Sequence, residues 1–220
     1  ASYVRNPAYA LAAPTDETLP ALKNAFVAED LFEYMPQLVD ALYAEDHFEQ
    51  GRINSSEFFL RRVNTHILNS RGVDERYTAC KGEIELVVEW KADGEEVELF
   101  DTLHFSDFCP EKISAAAAKA LERARLRASA VPLPAGLTVP VILRQENVGM
   151  LFDYYTAQSA ASLVYQKYSA AKIGEGIQGP DVQGDRISLS LLPELENSPA
   201  SRYIDEDGVK RLKVGMYVTQ

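Results

Sequence analysis

The sequence predicts an α+β fold in two parts, and three observations carry this prediction. Apolar and polar residues alternate over much of the first half up to Phe105, which is the period of β-strands with one buried face. An alanine-rich helical pattern then begins at Pro110. The second half mixes short strand patterns with a single long helical one. We therefore expect a two-layer antiparallel sheet with helices, followed by a β-rich unit with one prominent helix.

Three segments are expected along the chain. Residues 1–29 contain three prolines and little periodicity, which indicates a linker or an arm. Residues 30–131 should form the α+β middle domain. The run Val131–Gly136 holds two prolines and a glycine between periodic segments, so it is the best candidate for a domain boundary. Residues 137–220 are expected to be the β-rich start of a C-terminal domain, incomplete at its end.

The first elements of the middle domain follow from changes of period. A helix is expected over Pro36–Glu45, because proline fits the first helical turn and apolar residues recur at helical spacing. The period then becomes that of a strand over Arg52–Leu68. A turn is expected at Asn69–Gly72, since Asn and Gly tolerate unusual backbone angles, and a strand near Glu75–Cys80.

The clearest strand pattern is Ile84–Trp90, in which apolar residues alternate with glutamates. Asp93 and Gly94 form a dipeptide that favours hairpin turns, and a return strand leads to Phe105. The helix expected over Pro110–Ala130 has a continuous stripe of small and apolar side chains. Such a stripe lets a helix lie close to a sheet.

The second part is predicted to contain short strands around one helix. A strand is expected at Val139–Leu143, followed by the helix Asn147–Gln158. Ile187–Leu191 alternates as a strand, and Val209–Val218 is interpreted as strands joined near Gly215.

Charge and composition exclude several classes of protein. The chain has 220 residues and a net charge of −11, whereas a nucleic-acid-binding protein usually shows a basic face. No apolar run reaches the about 18–20 residues that cross a membrane. Cys80 and Cys109 fit neither a disulfide framework nor a metal spacing, so we expect free thiols in a cytoplasmic protein. Nucleic acid and membrane are therefore not expected as partners.

Motifs for catalysis or cofactor binding are weak in this sequence. The three histidines, His47, His66 and His104, are too far apart for a local metal motif. Gly174–Gly179 matches Gly-x-Gly-x-x-Gly, but it follows no buried strand and opens no helix. Asp205–Gly208 lacks the alternating acids of a calcium loop and indicates a tight acidic turn. No cofactor is expected in this chain.

Several short motifs occur in a recognisable order in the second half. They are Pro140–Leu143 before the helix, the segment Tyr165–Ile177 with Lys172-Ile173-Gly174-Glu175, and Ile204–Val209. Their order and spacing resemble the C-terminal region of the TldD/PmbA family, also described as modulators of DNA gyrase. Residues 30–135 resemble the middle region of that family. Because members of the family are considerably longer, we expect this chain to be a fragment.

The resemblance also implies what should stand in the helix after the first strand. The TldD branch has the zinc-binding motif His-Glu-x-x-x-His there, whereas this chain has Phe152 and Ala157 at the histidine positions and Asp153 at the glutamate position. The PmbA branch, also called TldE, likewise lacks the full motif. The resemblance therefore implies a non-catalytic partner in peptide maturation or proteolysis, with zinc only in a catalytic relative. Whether the chain is itself an enzyme stays open.

A surface for peptide or partner binding is expected around Asp153, Tyr154 and Tyr155. Tyrosine offers a large contact area and one hydrogen-bonding group at low entropic cost. The expected partner is a TldD-like catalytic subunit or a second copy of the chain, with a peptide as substrate. Alternatively, the tyrosines pack the second unit against the first. Two functional alternatives also stand: an active peptidase whose metal site lies outside this fragment, and a regulator of DNA gyrase.

Overall fold

The structure is a computed structural model that describes residues 11–23, 26–92, 94–144, 146–169, 171–172, 174–175, 184, 189–195, 198–210 and 214–216. Its contacts divide the chain into two compact units. The first unit comprises Ala1–Pro132 and Pro193–Leu212, and the second comprises Leu133–Leu192 and Lys213–Gln220. Units defined by contacts need not fold independently, so the domain limits proposed from the sequence stay a prediction.

A three-stranded antiparallel sheet forms the centre of the first unit. Its strands are β1 (Gly51–Leu68), β2 (Asp74–Ala92) and β3 (Glu95–Phe105), in the spatial order β1-β2-β3. A bulge between Ile53 and Ser55 shifts the pairing of β1 with β2. The predicted α+β class and the antiparallel sheet are confirmed.

The prediction of two separate strands in Glu75–Cys80 and Ile84–Trp90 is wrong. Both segments lie in β2, because the intervening Gly82 stays in the ladder and pairs with Leu60 on one side and Phe105 on the other. A single long strand therefore pairs with two partners and holds the sheet together.

Alternation along β2 gives the sheet one buried face and one open face. Ile84, Leu86 and Val88 lie on the buried face and are almost inaccessible to solvent, as the sequence pattern predicts. Glu83 and Glu85 point to the opposite face and are half-buried. The open face is thus polar, which is usual for an antiparallel sheet covered on one side.

Two helices cover the buried face. The first, α1 (Met35–Tyr43), follows a 3-10 helix over Leu31–Tyr34, and it ends slightly earlier than predicted. The second, α2 (Pro110–Ala128), begins at the predicted proline and packs against α1, β2 and β3. The predicted stripe on α2 is confirmed as core, with these side chains buried: Ile113, Ala117, Ala120, Leu121 and Ala124.

Two glycines in the sheet make room for large aromatic rings in the core. A Cβ on Gly51 would lie 2.0 Å from the ring of Trp90, and a Cβ on Gly82 would lie 2.3 Å from the ring of Phe105. Each glycine stands directly across the ladder from the aromatic residue that covers it. The aromatic side chain therefore fills the surface that the glycine leaves bare.

The N-terminal arm contributes to the core of the first unit. Phe26 is fully buried, and its ring meets those of Tyr34 and Phe105 edge to face at 5.3 and 5.9 Å. Arg62 on β1 donates hydrogen bonds to the backbone carbonyls of Phe26 and Ala28. The arm is thus fixed by an aromatic anchor and by a charged side chain, which no periodic pattern in the sequence indicates.

A short hairpin, Ile204–Lys210, belongs to the first unit although it comes late in the chain. Its turn is closed by Asp205 Oδ1, which accepts hydrogen bonds from the backbone N–H groups of Asp207 and Val209 at 3.1 and 2.9 Å. Gly208 has a φ of +85° and therefore suits this turn. The tight acidic turn expected here is confirmed.

Lys210 joins this hairpin to two other parts of the first unit. Its Nζ donates to the backbone carbonyls of Thr15 and Glu17 in the arm, and it lies 3.1 Å from Glu75 Oε1 on β2. The Lys210 side chain is only 9% exposed. A nearly buried ammonium group needs such partners, and these three satisfy its three N–H donors.

In the residues that the structure describes, the second unit contains two helices and two short strands. They are α3 (Glu146–Gln158), α4 (Ala161–Tyr165), β4 (Leu189–Leu191) and β5 (Val214–Met216), and β4 pairs with β5. The predicted helix is confirmed, beginning one residue earlier than expected. Gly215 pairs with Ser190 inside β5, so the prediction of a junction near Gly215 is wrong. Ile187 and residues 211–213 and 217–218 lie outside the described residues.

The prediction of a strand at Val139–Leu143 is also wrong. This segment has no regular secondary structure, and its apolar side chains are exposed. A strand needs a neighbour that accepts and donates its backbone hydrogen bonds, and no described strand lies beside this segment. Pro140 removes one of the donors as well.

Both cysteines are free thiols, with Cys80 buried and Cys109 partly buried. Within the described ranges, every helix is too short or too polar to cross a membrane.

Candidate functional site

Helix α3 carries every residue that the sequence identifies as a site residue: Phe152, Asp153, Tyr154, Tyr155 and Ala157. The helix is entered through a turn in which Asn147 N–H donates to the carbonyl of Arg144 at 3.2 Å. At its other end, Ser159 Oγ donates to the carbonyl of Tyr155 at 2.7 Å, which satisfies one of the acceptors left open where a helix stops.

Helical spacing separates these side chains into two groups. Phe152 and Tyr155 stand three residues apart, are both half-buried, and have ring centroids 6.4 Å apart. Asp153 and Ala157 stand four residues apart on another side and are exposed. Tyr154 is exposed as well, and its ring meets that of Tyr155 edge to face at 5.5 Å.

An exposed apolar ridge runs along α3 beside the motif positions. It consists of Met150, Leu151 and Tyr154, which are 68%, 56% and 65% exposed. Residues three and four apart on a helix lie on the same side, so the three side chains form one surface. We call this surface the α3 ridge. Large contiguous apolar patches often mark binding surfaces, whereas single exposed apolar side chains are ordinary.

The residues at the motif positions do not fit a zinc site. Zinc in proteins is bound by thiolate, imidazole or carboxylate groups, usually from three or four residues. Phe152 and Ala157 have only carbon atoms in their side chains, so Asp153 alone offers a donor. In the part of the chain that the structure describes, no three His, Cys, Asp or Glu side chains converge as metal ligands. That α3 binds no zinc stays a prediction.

The three histidines all lie in the first unit and have neighbours of their own. His66 Nε2 lies 2.6 Å from Asp74 Oδ1, and His104 Nδ1 lies 3.4 Å from Glu83 Oε2. His47 stacks on the following phenylalanine ring with a centroid distance of 4.6 Å. These contacts account for the histidines without a metal ion.

A cavity of about 850 Å³ in the first unit was not foreseen from the sequence. It lies between the arm residues 15–22, the paired ends of β1 and β2, and the hairpin that carries Lys210. Tyr203 also lines it, and the hydrogen bond that Tyr203 donates to Glu194 raises the pKa of the phenol. No sequence pattern could have found this cavity, because it is built from three segments far apart in the chain.

Comparison with solved structures finds a protein with a similar fold. The crystal structure of TldE from Thermococcus kodakarensis matches it with a TM-score of 0.70 over 94% of this chain. This chain has a TldE-type fold. The two sequences are 15% identical, and the chain spans 47% of the length of that TldE chain. No protein-family model and no curated protein matches the sequence.

The TldE-type fold confirms the resemblance to the TldD/PmbA family at the level of architecture. An identity of 15% shows a shared fold, and fold alone does not define chemistry. The roles that the resemblance implies for Asp153, Tyr154 and Tyr155 stay predictions. They depend on what α3 contacts in solution.

Proposed function

We propose that this chain is a non-catalytic, TldE-like member of the TldD/PmbA family that acts with a catalytic subunit in peptide maturation or proteolysis. Two kinds of observation support the proposal: the TldE-type fold over nearly the whole chain, and the chemistry of the residues on α3. The catalytic subunit would be a TldD-like chain that carries the complete zinc-binding motif.

The observation that carries the proposal is the character of α3. At the positions where the TldD branch has zinc ligands, Phe152 and Ala157 cannot coordinate a metal. The same helix presents the α3 ridge, whose apolar side chains the described structure leaves in solvent. A helix that has lost metal ligands but keeps a continuous apolar surface is suited to binding a protein chain.

The TldD-like subunit is the occupant that we assign to the α3 ridge. Met150 and Leu151 give apolar area, and Tyr154 adds a hydroxyl that can bond at the edge of an interface. Asp153 is exposed beside them and can pair with a basic group of the partner. A peptide substrate or a second copy of this chain are the other candidates. The free thiols favour a reducing compartment, so the proposal places the protein in the cytoplasm.

The proposal can be tested with a TldD-type chain that has an intact His-Glu-x-x-x-His motif. We expect the two chains to form a complex that hydrolyses peptides, whereas this chain alone is inactive. Tyr154→Ala should weaken the complex by about 1–2 kcal/mol, the scale of an interface anchor, because it removes part of the ridge. Titration calorimetry measures the affinity, and thermal unfolding should show a nearly unchanged melting temperature.

Tyr168→Ala is the matched control, since Tyr168 is 75% exposed and lies outside α3. The control variant should bind the TldD-type chain as tightly as the native protein does. Equal weakening by both variants, or a large loss of stability in Tyr154→Ala with unchanged binding, would contradict the proposal. So would a complex formed only between copies of this chain.

A further inference from the structure

Two pairs of like charges without a described ion-pair partner stand directly opposite each other on the open face of the sheet in the first unit. Glu57 on β1 pairs with Glu85 on β2, and Arg61 pairs with Lys81. Side chains at such positions lie about 5 Å apart, and like charges there destabilise a sheet. None of the four forms an ion pair with another described residue. A third pair there, Glu89 with Glu98, has partners in Arg52 and Asn54. The chain thus keeps two unfavourable pairs on one surface.

An aromatic row separates the acidic pair from the basic pair. Phe59, Glu83 and His104 lie side by side across the three strands. His104 Nδ1 is 3.4 Å from Glu83 Oε2, so these two side chains are paired with each other. Phe59 offers apolar surface, and the guanidinium of Arg61 lies 5.4 Å from the centre of its ring.

A cavity of about 490 Å³ opens at the basic end of this surface. It is lined by residues of the sheet and by the segment 198–200, all within the first unit; the sheet residues are Phe59, Arg61, Lys81, Gly82, Glu83 and His104. The cavity therefore combines two cationic side chains, an aromatic ring and the apolar ring of a proline with the carboxylate of Glu83, which has His104 as its own partner. That combination suits a group that is anionic at one end and apolar beside it.

We propose that this face binds a short, extended peptide with a free C-terminal carboxylate. The carboxylate lies between Arg61 and Lys81, and the last side chain of the peptide lies against Phe59 in the cavity. The peptide runs along the strands towards Glu57 and Glu85, where a basic side chain is preferred. The Arg61–Lys81 row and the Glu57–Glu85 row are four residues apart along each strand, which at a rise of about 3.3 Å per residue is about 13 Å. The basic residue of the peptide is therefore the fourth before its C-terminal residue.

Charge decides between this ligand and other anions. Each like-charged pair loses its repulsion when a group of opposite sign enters between its members, so a ligand with both signs gains at both ends. A nucleic acid or another polyanion would gain at Arg61 and Lys81 but would meet Glu57, Glu85 and the net charge of −11. A small carboxylate would use the basic pair alone and leave the aromatic row and the acidic pair without a role.

This inference does not rest on the function proposed for α3, because the two surfaces belong to different units. Loss of peptide binding on the sheet face would leave the complex with a TldD-type chain intact. Conversely, a chain that fails to bind such a partner could still bind the peptide. The two tests can therefore fail separately.

The test uses the full 220-residue chain and the peptide Lys-Ser-Ala-Ser-Phe with a free carboxylate. We expect titration calorimetry to show binding, and amidation of the C-terminus should weaken it about tenfold or more, because a charge-assisted hydrogen-bonded pair is lost. The double variant Arg61→Ser with Lys81→Ser should weaken binding of the free-carboxylate peptide by a similar factor. Replacing the lysine of the peptide by glutamate should weaken it as well.

The control variant is Lys119→Ser with Arg127→Ser, which changes the net charge equally at exposed positions on α2. It should bind the peptide like the native chain. Equal affinity for the amidated peptide, or equal affinity of the Arg61/Lys81 variant and the control variant, would overturn the proposal. Competition by acetate at the same concentration as the peptide would also overturn it, since the site would then be a simple anion site.

Discussion

Helices α2 and α3 both carry apolar side chains, but they use them differently. The apolar stripe of α2 is buried against the sheet and α1, whereas the α3 ridge is exposed over more than half of each side chain. Burial of apolar area is the main stabilising term in folding, so the stripe on α2 is explained by the fold of the chain itself. The α3 ridge contributes little to that fold. The partner binding proposed above would account for its apolar character.

The largest difference should appear when matched leucines on the two helices are shortened. Leu121→Ala on α2 should lower the free energy of unfolding by about 2–5 kcal/mol, because it opens a cavity in a core position that is 1% exposed. Leu151→Ala on α3 should change it by less than about 0.5 kcal/mol. Chemical denaturation of both variants measures the two values. Similar losses would show that α3 is part of a core.

Replacing one glycine in each region by alanine should change the stability by smaller amounts and in opposite directions. Gly82→Ala should destabilise the chain by about 1–3 kcal/mol, since the new Cβ would overlap the ring of Phe105. Gly149→Ala on α3 should stabilise it by about 1 kcal/mol, because nothing lies within 4 Å of the new Cβ and alanine favours a helix. Thermal unfolding of both variants checks the signs. Destabilisation by Gly149→Ala would mean that α3 is covered in solution.

Removing the repulsion in one like-charged pair should change the stability by a still smaller amount. Glu57→Gln should stabilise the chain by about 0.2–1 kcal/mol at low salt, because Glu85 no longer faces a like charge. High salt should reduce the gain. Unfolding at two ionic strengths gives both values, and a loss of stability on substitution would mean that Glu57 has a favourable partner.

Glu122→Gln is the control for Glu57→Gln, because it should lower the stability and not raise it. Two hydrogen bonds from Arg125, at 2.6 and 2.7 Å, hold the pKa of Glu122 below its ordinary value. A carboxyl group with a lowered pKa stabilises the folded state above its unfolded pKa, and this contribution is lost as the pH falls through the folded pKa. Glu122→Gln should therefore destabilise slightly at neutral pH and have no effect in acid.

Introducing the two histidines of the zinc motif is expected to produce neither zinc binding nor peptidase activity. The double variant Phe152→His with Ala157→His should bind no stoichiometric zinc and hydrolyse no peptide. Asp153 is one methylene shorter than glutamate, and among the described residues no group of three His, Cys, Asp or Glu side chains converges as metal ligands. Metal analysis after mild treatment with a chelator is the measurement. Stoichiometric zinc with activity would make α3 a degenerate catalytic helix and not a binding one.

The sheet could be predicted closely from the sequence because one of its faces is buried. Burial of Ile84, Leu86 and Val88 forces polar residues into the alternate positions, and the period is visible without any tertiary information. The stripe on α2 is visible for the same reason. Phe26 was missed, since a single aromatic anchor in an irregular arm has no period.

The errors arose where the structure depends on partners distant in sequence. An apolar run such as Val139–Leu143 has the composition of a strand, yet a strand also needs a neighbouring strand. The like-charged rows could not be predicted either, because the register that sets Glu57 opposite Glu85 runs without a shift from the Leu68–Asp74 pair, and the sequence pattern gives the ends of these strands only approximately. The residues on α3 were identified by their spacing within a family resemblance, and their exposure needed the structure.

The contacts of Lys210 have a consequence for the order in which the chain assembles. The sheet and α2 come from one continuous stretch of sequence, so they can form early during synthesis. The hydrogen bond from Lys210 to Thr15 joins residues 195 positions apart, across residues 133–192 of the second unit. Lys210 is synthesised after every residue that it contacts in this way, so we expect this step to come last. Until then the arm is held by its early contacts alone, and a protease present during synthesis would find it accessible.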